Sequence, residues 1–538
     1  MSAIQRHVVG VDVGTGSARA GVFDLDGRLL ASAKRDISLH RAPGSHVEQS
    51  SAEIWQAVCQ SVREAVASSG IAPESVVGLG FDATCSLVVL GPDERGLPVG
   101  DPDRPDRDIV VWMDHRAVEQ AERINAGGHD VLAYVGGAVS PEMEMPKLLW
   151  LKENRRETFE AARHFFDLTD YLTFRASGSL ARSSCTVTCK WNYLDHESRW
   201  DLGYLAAIGL PELADDLSRI GEEVVPAGTP LAAGLTQKAA DELGLRPGTA
   251  VAAGLIDAHA GGIGTVGAVG EVTQNLAYVF GTSSCTMTTT TEPVFVPGVW
   301  GPYHSAMVPG LWLNEGGQSA AGAAIEHLLK LHPAHAEARA LAAADGLSLP
   351  DWLGRRAKAD LGERPPAAIV ERVRGVHVVP EFLGNRAPHA DPHARAILAG
   401  LGLDSDEDSL VTLYLAGLCG IGYGLRQIIV AQAAAGALVE RIVISGGAGR
   451  SALVRQILAD AAGKPLVTVT SQEPVLLGSA ILGAVAAGAF EHVPAAMQAM
   501  SHQEGIVEPS GGAWAALHDA RFDAFERLQA LGREVRRV

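Results

Sequence analysis

Two short glycine turns carry the residues best suited to chemistry. The first is Asp12-Val13-Gly14-Thr15-Gly16-Ser17-Ala18-Arg19, which closes a brief apolar run. Gly14 and Gly16 let the backbone turn tightly, consecutive N–H groups can then form an anion-binding concavity, and the hydroxyls of Thr15 and Ser17 add donors. Arg19 offers a cation to the same anion, and Asp12 is a candidate ligand for the Mg²⁺ that accompanies nucleotide phosphates. The plan recurs far along the chain at Gly281-Thr282-Ser283-Ser284. Neither copy is a Walker loop, because no Gly-Lys-Ser/Thr follows, and neither has the strand, G-x-G-x-x-G, helix order of a dinucleotide site. One such hairpin alone is as readily a plain turn. Two hairpins from two domains can grip one polyphosphate from both sides, which favours phosphoryl transfer. A third turn, at Gly446, Gly447 and Gly449, lies between the strand pattern RIVIS (Arg441 to Ser445) and an amphipathic pattern from Ser451 to Ala462. That order lets backbone lie close to a nucleotide. Nothing in it separates ATP from GTP.

The elements that must hold these turns alternate between strand and helix patterns, which argues for an α/β architecture. The chain begins twice: Val8 to Asp24 reads as strand, glycine turn, strand, and Val272 to Thr289 repeats it. Internal repetition fixes the gross fold, here two related domains facing each other. A chain of 538 residues is also too long for one ordinary core. The expected division is residues 1–260, residues 261–500, and a helical tail over 501–538 packed on the second domain, with the boundary in the glycine-dense stretch Gly254 to Gly270. The segment from Met145 to about Asp216 reads as a helix-rich elaboration of the first domain. Ser405 to Ser409 offers helix N-caps before a long apolar pattern reaching about Gly436. Its centre, Leu410 to Leu425, contains four glycines and is broken by Arg426 and Gln427, so a buried helix is expected rather than a membrane span.

A formal net charge of −19 gives no electrostatic reason to approach nucleic acid or anionic lipid. Neither is an expected partner; the expected partners are small molecules, and the expected compartment is the cytoplasm. Monomer and homodimer both remain open. Six cysteines in so long a chain do not make a disulfide scaffold. Cys185 and Cys189 are spaced Cys-x3-Cys, but with no second pair or matching histidine pair they are expected to be buried or simply neutral thiols rather than a zinc site.

The order and spacing of several segments resemble the FGGY family of carbohydrate kinases, within the actin-like ATPase superfamily. These segments are the opening hairpin, Trp112-Met113-Asp114-His115-Arg116, Lys147 to Asn154, Gly254-Leu255-Ile256-Asp257-Ala258-His259-Ala260, Phe280 to Ser284, Leu383 to Pro388 and the turn from Ser445 to Gly449. The resemblance implies two ribonuclease-H-like domains flanking a cleft, with sugar held mainly by the first, ATP mainly by the second, and Mg²⁺ as cofactor. Asp257 falls on the family's catalytic base, which accepts the sugar hydroxyl proton as that oxygen attacks the γ-phosphorus. The Arg-Glu pair of glycerol kinases is replaced by Cys85-Ser86. The pattern is similar to ribulokinases in Asp82, Thr84 and Cys85, in Lys190 and in Glu315, and the sugar site it implies also includes Asp114. The resemblance thus implies phosphorylation of a ketopentose at its terminal hydroxyl, with D-ribulose expected ahead of L-ribulose, D-xylulose or a polyol. A non-catalytic actin-fold sugar sensor is the alternative from another class.

Overall fold

The computed structural model describes residues 5–536. Strand β1 (His7–Val13) is rich in valine and buried along its whole length, the mark of a central strand covered on both faces. It pairs antiparallel with β2 (Ser17–Asp24), placing Asp12 opposite Arg19, and β2 pairs antiparallel with β3 (Leu29–Asp36). On its other side β1 runs parallel to β4 (Val76–Ala83), with Asp12 opposite Asp82. β4 in turn carries β5 (Ala250–Val251) and β6 (Leu255–Ile256), both parallel. Parallel neighbours need a crossover, and α1 (Ser51–Ser69) supplies the one between β3 and β4. Ser50 caps its start by accepting a hydrogen bond from the Glu53 N–H, and left-handed Gly70 ends it.

The second sheet consists of β7 (Asn275–Phe280), β8 (Ser284–Thr290), β9 (Trp300–His304), β10 (Trp312–Gln318), β11 (Arg441–Ser445), β12 (Leu466–Val469) and β13 (Gln503–Val507). Its order is β9-β10-β8-β7-β11-β12-β13. Five of these strands reproduce the first sheet's β3-β2-β1-β4-β5: a hairpin (β7, β8), a third antiparallel strand (β10), and two strands parallel to the hairpin's first (β11, β12). The repeat legible in the two glycine turns is therefore a repeat of whole sheets.

Helix α2 (Ser184–Lys190) lies in the helix-rich part of the first half, where Ser183 caps it by accepting from the Cys185 N–H. α3 (Asp257–Val266) leaves the end of β6 and carries the chain to the second sheet. α4 (Glu407–Ala434) starts at Asp406, whose side chain accepts from the Ser409 N–H, and it is the one helix among the described residues long and apolar enough to cross a membrane. Its apolar window is 89% buried inside the protein, so it is a core helix. α5 (Ala452–Ala462) follows the third glycine turn, capped by Ser451.

α6 (Pro474–Ala486) belongs by sequence to the second half, yet it packs on β1 and β4 of the first sheet and crosses α3. The crossing depends on two glycines. A Cβ on Gly264 would sit 1.9 Å from the Pro474 carbonyl oxygen, and one on Gly478 would sit 1.9 Å from that of Ala260. The expected helical tail starts instead as strand β13, which extends the second sheet, before α7 (Gly512–Val535) packs Phe522 and Phe525 around Tyr423 of α4.

Candidate active site

Asp257 is the first residue of α3 and follows β6 directly, so the end of a parallel strand and the start of a helix fix it together. Its Oδ1 accepts a hydrogen bond of 2.8 Å from the Ala258 N–H. Burial and the nearby Asp12 carboxylate push its pKa up to about 6, while the Ala258 N–H, His259 and Lys190 hold it back. Such a carboxylate is ionised at neutral pH and more basic than a solvated aspartate, as a general base must be.

A cavity of about 320 Å³ opens in front of it. Thr84, Cys85, Lys190 and Glu315 share its wall with Asp257. Lys190 ends α2 with its Nζ 5.3 Å from the centre of the Trp300 ring. Glu315 lies on β10 opposite Trp300 of β9. Burial works against its negative charge, but His259, Lys190 and Arg386 outweigh that and bring its pKa to about 2. The cavity thus offers a fixed anion and a buried cation, one to accept from hydroxyls and the other to donate to them. Burial pushes the Cys85 thiol up, so it meets a ligand as a neutral group.

A second cavity, of about 580 Å³, is lined by Gly446, Gly447 and Gly449 and by Thr468 to Glu473. The two cavities share Arg19, Val279 and Val475, so a ligand in one can reach a ligand in the other beside the first hairpin. In that hairpin the Gly14 N–H bonds the Ser17 carbonyl, three residues on, at 3.0 Å, and in the second the Gly281 N–H bonds the Ser283 carbonyl, two residues on, at 2.9 Å; each turn is closed by the N–H of its first glycine, and the second is one residue shorter. Gly14, Thr15 and Ser283 reach the first cavity, while Gly16, Ser17, Gly281 and Thr282 do not line it; Gly16, Gly281 and Thr282 are exposed at the turn tips. The Thr15 hydroxyl already accepts from the Trp112 indole N–H at 2.9 Å.

Asp12 is paired with Arg19, which also reaches Glu473 at 2.8 Å. Burial pushes Asp12 up against the pull of Arg19, burial and the repulsion of Asp12 push Asp82 and Asp257 up, and one buried oxygen of Asp82 has no hydrogen-bond partner. A concentration of buried carboxylates met by a single arginine fits a hard divalent cation, with Asp12 facing the cavity beside the hairpin and Asp257 also on its wall.

Three sequence expectations change. Asp114 is not in the cavity: it is fully buried, bonded by Arg116 at 2.7 Å and by the Val47 N–H at 2.5 Å, and Arg116 goes on to Glu48. Asp82 is likewise fully buried behind Asp12, where it accepts from the Ser479 hydroxyl at 2.5 Å. Cys185 and Cys189 are buried as expected, but Cys185 is not an isolated neutral thiol, since His259 Nδ1 lies 3.1 Å from its sulfur. Burial opposes a thiolate there, yet Cys189 and His259 together draw the Cys185 pKa down, and the same pairing raises that of His259. Sequence reasoning also missed Glu142, Trp300 and Arg386 on the cavity wall. Glu142 and Arg386 stand near or inside segments already singled out, so proximity to those motifs was the available signal; Trp300 had none.

Duplicated sheets around a cleft, a glycine hairpin from each, and a strand-end aspartate beside a polar cavity define an ATP-dependent carbohydrate kinase. Residues 7–264 match the N-terminal domain, and residues 276–487 the C-terminal domain, of the FGGY family of carbohydrate kinases. The chain belongs to that family. It is 46% identical to an FGGY carbohydrate kinase domain-containing protein of Homo sapiens, over 94% of this chain and 93% of that one. It is 39% identical to a D-ribulokinase of Saccharomyces cerevisiae, over 90% of this chain and 73% of that one. The fold is similar to that of a xylulose kinase from Rhodospirillum rubrum, with a TM-score of 0.82, 21% identity, and 98% and 99% of the two chains covered.

Proposed function

We propose that the chain transfers the γ-phosphoryl group of ATP to the terminal hydroxyl of a ketopentose, with D-ribulose as substrate and Asp257 as general base. The observation that carries this reading is the shared wall of the two cavities at Arg19, with Asp257 on the wall of the smaller one. In the smaller cavity Lys190 donates to sugar hydroxyls and Glu315 accepts from them, so the sugar binds in one orientation. Asp257 takes the proton of the terminal hydroxyl as its oxygen bonds to the γ-phosphorus; the bond from that phosphorus to the bridging oxygen breaks, and ADP leaves. Arg19 and the two hairpins meet the phosphate charge, and Gly446, Gly447 and Gly449 floor the nucleotide. Mg²⁺, when bound at Asp12, supplies further neutralisation of the polyphosphate.

The 39% identity to a yeast D-ribulokinase supports D-ribulose over other pentuloses. Six free cysteines among the described residues are in keeping with a cytoplasmic setting. The test is coupled ADP release with MgATP against D- and L-ketopentoses, polyols and glycerol. Highest kcat/KM with D-ribulose is the expected result. Preference for another acceptor would keep the mechanism and reject the substrate, and ATP binding with no acceptor-stimulated ADP release would reject the kinase mechanism.

A further inference from the structure

Behind the sugar side of the cavity, three ligand atoms converge that the proposed reaction does not use. They are the sulfurs of Cys185 and Cys189 and one ring nitrogen of His259, all within 4.8 Å of one another and all on buried residues. Cys185 and Cys189 are four apart on α2, so one helical turn puts both on the same face. His259 comes from the first turn of α3, and its Nδ1 points at Cys185 from 3.1 Å. None of the three lines the cavity.

We propose that Cys185, Cys189 and His259 bind one thiophilic d¹⁰ dication, of which zinc is the commonest. Two thiolates and an imidazole are an established three-residue ligand set for zinc, the fourth position being left to water. Bonds of about 2.3 Å to sulfur and about 2.0 Å to nitrogen set tetrahedral ligand atoms roughly 3.5–3.8 Å apart. The atoms lie within 4.8 Å of one another, so the widest pair closes by at most about 1.3 Å, while Cys185 Sγ and His259 Nδ1, now 3.1 Å apart, open by about 0.4 Å. Two thiolates balance the charge of a dication, so a filled site leaves no net charge in a buried place, and the two protons that the Cys185, Cys189 and His259 cluster gives up pass to solvent.

The second ring nitrogen of His259 provides an independent observation. A metal-bound histidine usually donates its other N–H to a carboxylate, which fixes its tautomer and orientation. His259 Nε2 is buried without a hydrogen-bond partner, and the Glu315 carboxylate lies 3.4 Å away. Ligand set and outer carboxylate are therefore both in place. Thiolates disfavour hard cations, so this site is chemically distinct from the phosphate-side site at Asp12. Through His259, metal at the cysteines holds Glu315 at the cavity wall; that consequence for sugar binding rests on the kinase reading, whereas metal binding does not.

The experiment is a titration of the reduced, full-length chain with Co²⁺ and Cd²⁺, read by thiolate-to-metal charge-transfer absorption, followed by competition with Zn²⁺. One equivalent is expected to bind with that band. Cys189→Ala and His259→Gln are expected to abolish it, Cys419→Ala to keep it, and Glu315→Gln to weaken affinity about 10–100-fold. Circular dichroism identifies any variant that fails to fold, and either Cys189→Ala or His259→Gln suffices for the comparison. No band at one equivalent in the wild-type chain, or an undiminished band in a folded Cys189→Ala or His259→Gln variant, would overturn the site. Failure of metal binding with normal sugar turnover rejects this inference alone, and intact metal binding without turnover rejects the kinase reading alone.

Discussion

Asp12 and Asp82 stand opposite each other on neighbouring parallel strands, yet Asp12 alone of the two faces the cavity. Asp82 is turned toward the Ser479 hydroxyl of α6, a contact an asparagine oxygen can also accept. Asp82→Asn is therefore expected to change kcat/KM less than about tenfold, because the packing and its principal hydrogen bond survive. If Asp12 holds Mg²⁺ as proposed, Asp12→Asn is expected to raise the Mg²⁺ concentration needed for half-maximal turnover by at least about tenfold. Magnesium titrations of both variants decide it; equal effects would mean that the pair acts as one unit.

Asp257→Asn keeps the size of the side chain and its place at the start of α3 but removes its basicity. A positioned general base contributes about 10²–10⁴ in rate, and kcat should fall by that factor. Nucleotide affinity, measured by calorimetric titration, should remain within about threefold, since the hairpins and the Gly446 turn are untouched. Full activity in this variant would end the assignment of Asp257 as base.

Lys190 and Glu315 reach the same cavity from opposite halves of the chain. Loss of a buried hydrogen bond to a charged group costs about 1.5–3 kcal/mol. Lys190→Ala and Glu315→Gln should therefore each raise KM for sugar by roughly 10–100-fold, with a much smaller change in KM for ATP. Parallel changes in both constants would place these residues outside the sugar site.

Gly446 has a φ of 96°, and a Cβ there would meet the Phe280 carbonyl oxygen at 2.3 Å. Phe280 ends β7 immediately before the second glycine hairpin, so the Gly446 turn and that hairpin are held against each other. Gly446→Ala should cost about 1–3 kcal/mol of stability through overpacking and strain. It should also raise KM for ATP more than KM for sugar. Thermal denaturation together with steady-state kinetics tests both parts, and an alanine variant with wild-type ATP affinity would dissociate the turn from the nucleotide.

Local chemistry made much of this architecture readable. The Gly14–Gly16 hairpin, the Gly281 hairpin, the Arg441–Ser445 strand with its glycine turn, and the Asp406-capped helix are each coded within a few neighbouring residues. What the sequence could not show is which distant residues meet. Cys185 and His259 are 74 positions apart, and Asp82 and Ser479 are 397 apart, so no spacing rule announces either contact. Asp114 illustrates the reverse error: it belongs to a recognisable segment, but Arg116, two residues on, occupies its carboxylate inside the first domain. A motif preserves structural partners together with catalytic ones, and residue type alone does not tell them apart.

His518 on α7 ties acid stability to the end of the chain. It is 2% exposed, and its Nδ1 lies 2.9 Å from the Tyr423 hydroxyl of α4; Arg521 Nε already donates to that hydroxyl, which leaves the hydroxyl proton to a neutral His518 ring. Burial, then Arg521 on the same helix and Arg426 on α4, lower its pKa to about 4, with Asp519 opposing them. A folded-state pKa below the unfolded value of about 6.5 means that the unfolded chain binds more protons between those two values. Stability from this group is therefore complete above about pH 6.5 and lost as pH falls toward 4, amounting to about 3 kcal/mol across the interval. His518→Gln cannot titrate, so the Tm difference between wild type and variant should shift progressively against the wild type as pH drops from 7 to 4.5. Parallel Tm curves over that range would show that protonation of His518 is not what loosens α7 from α4.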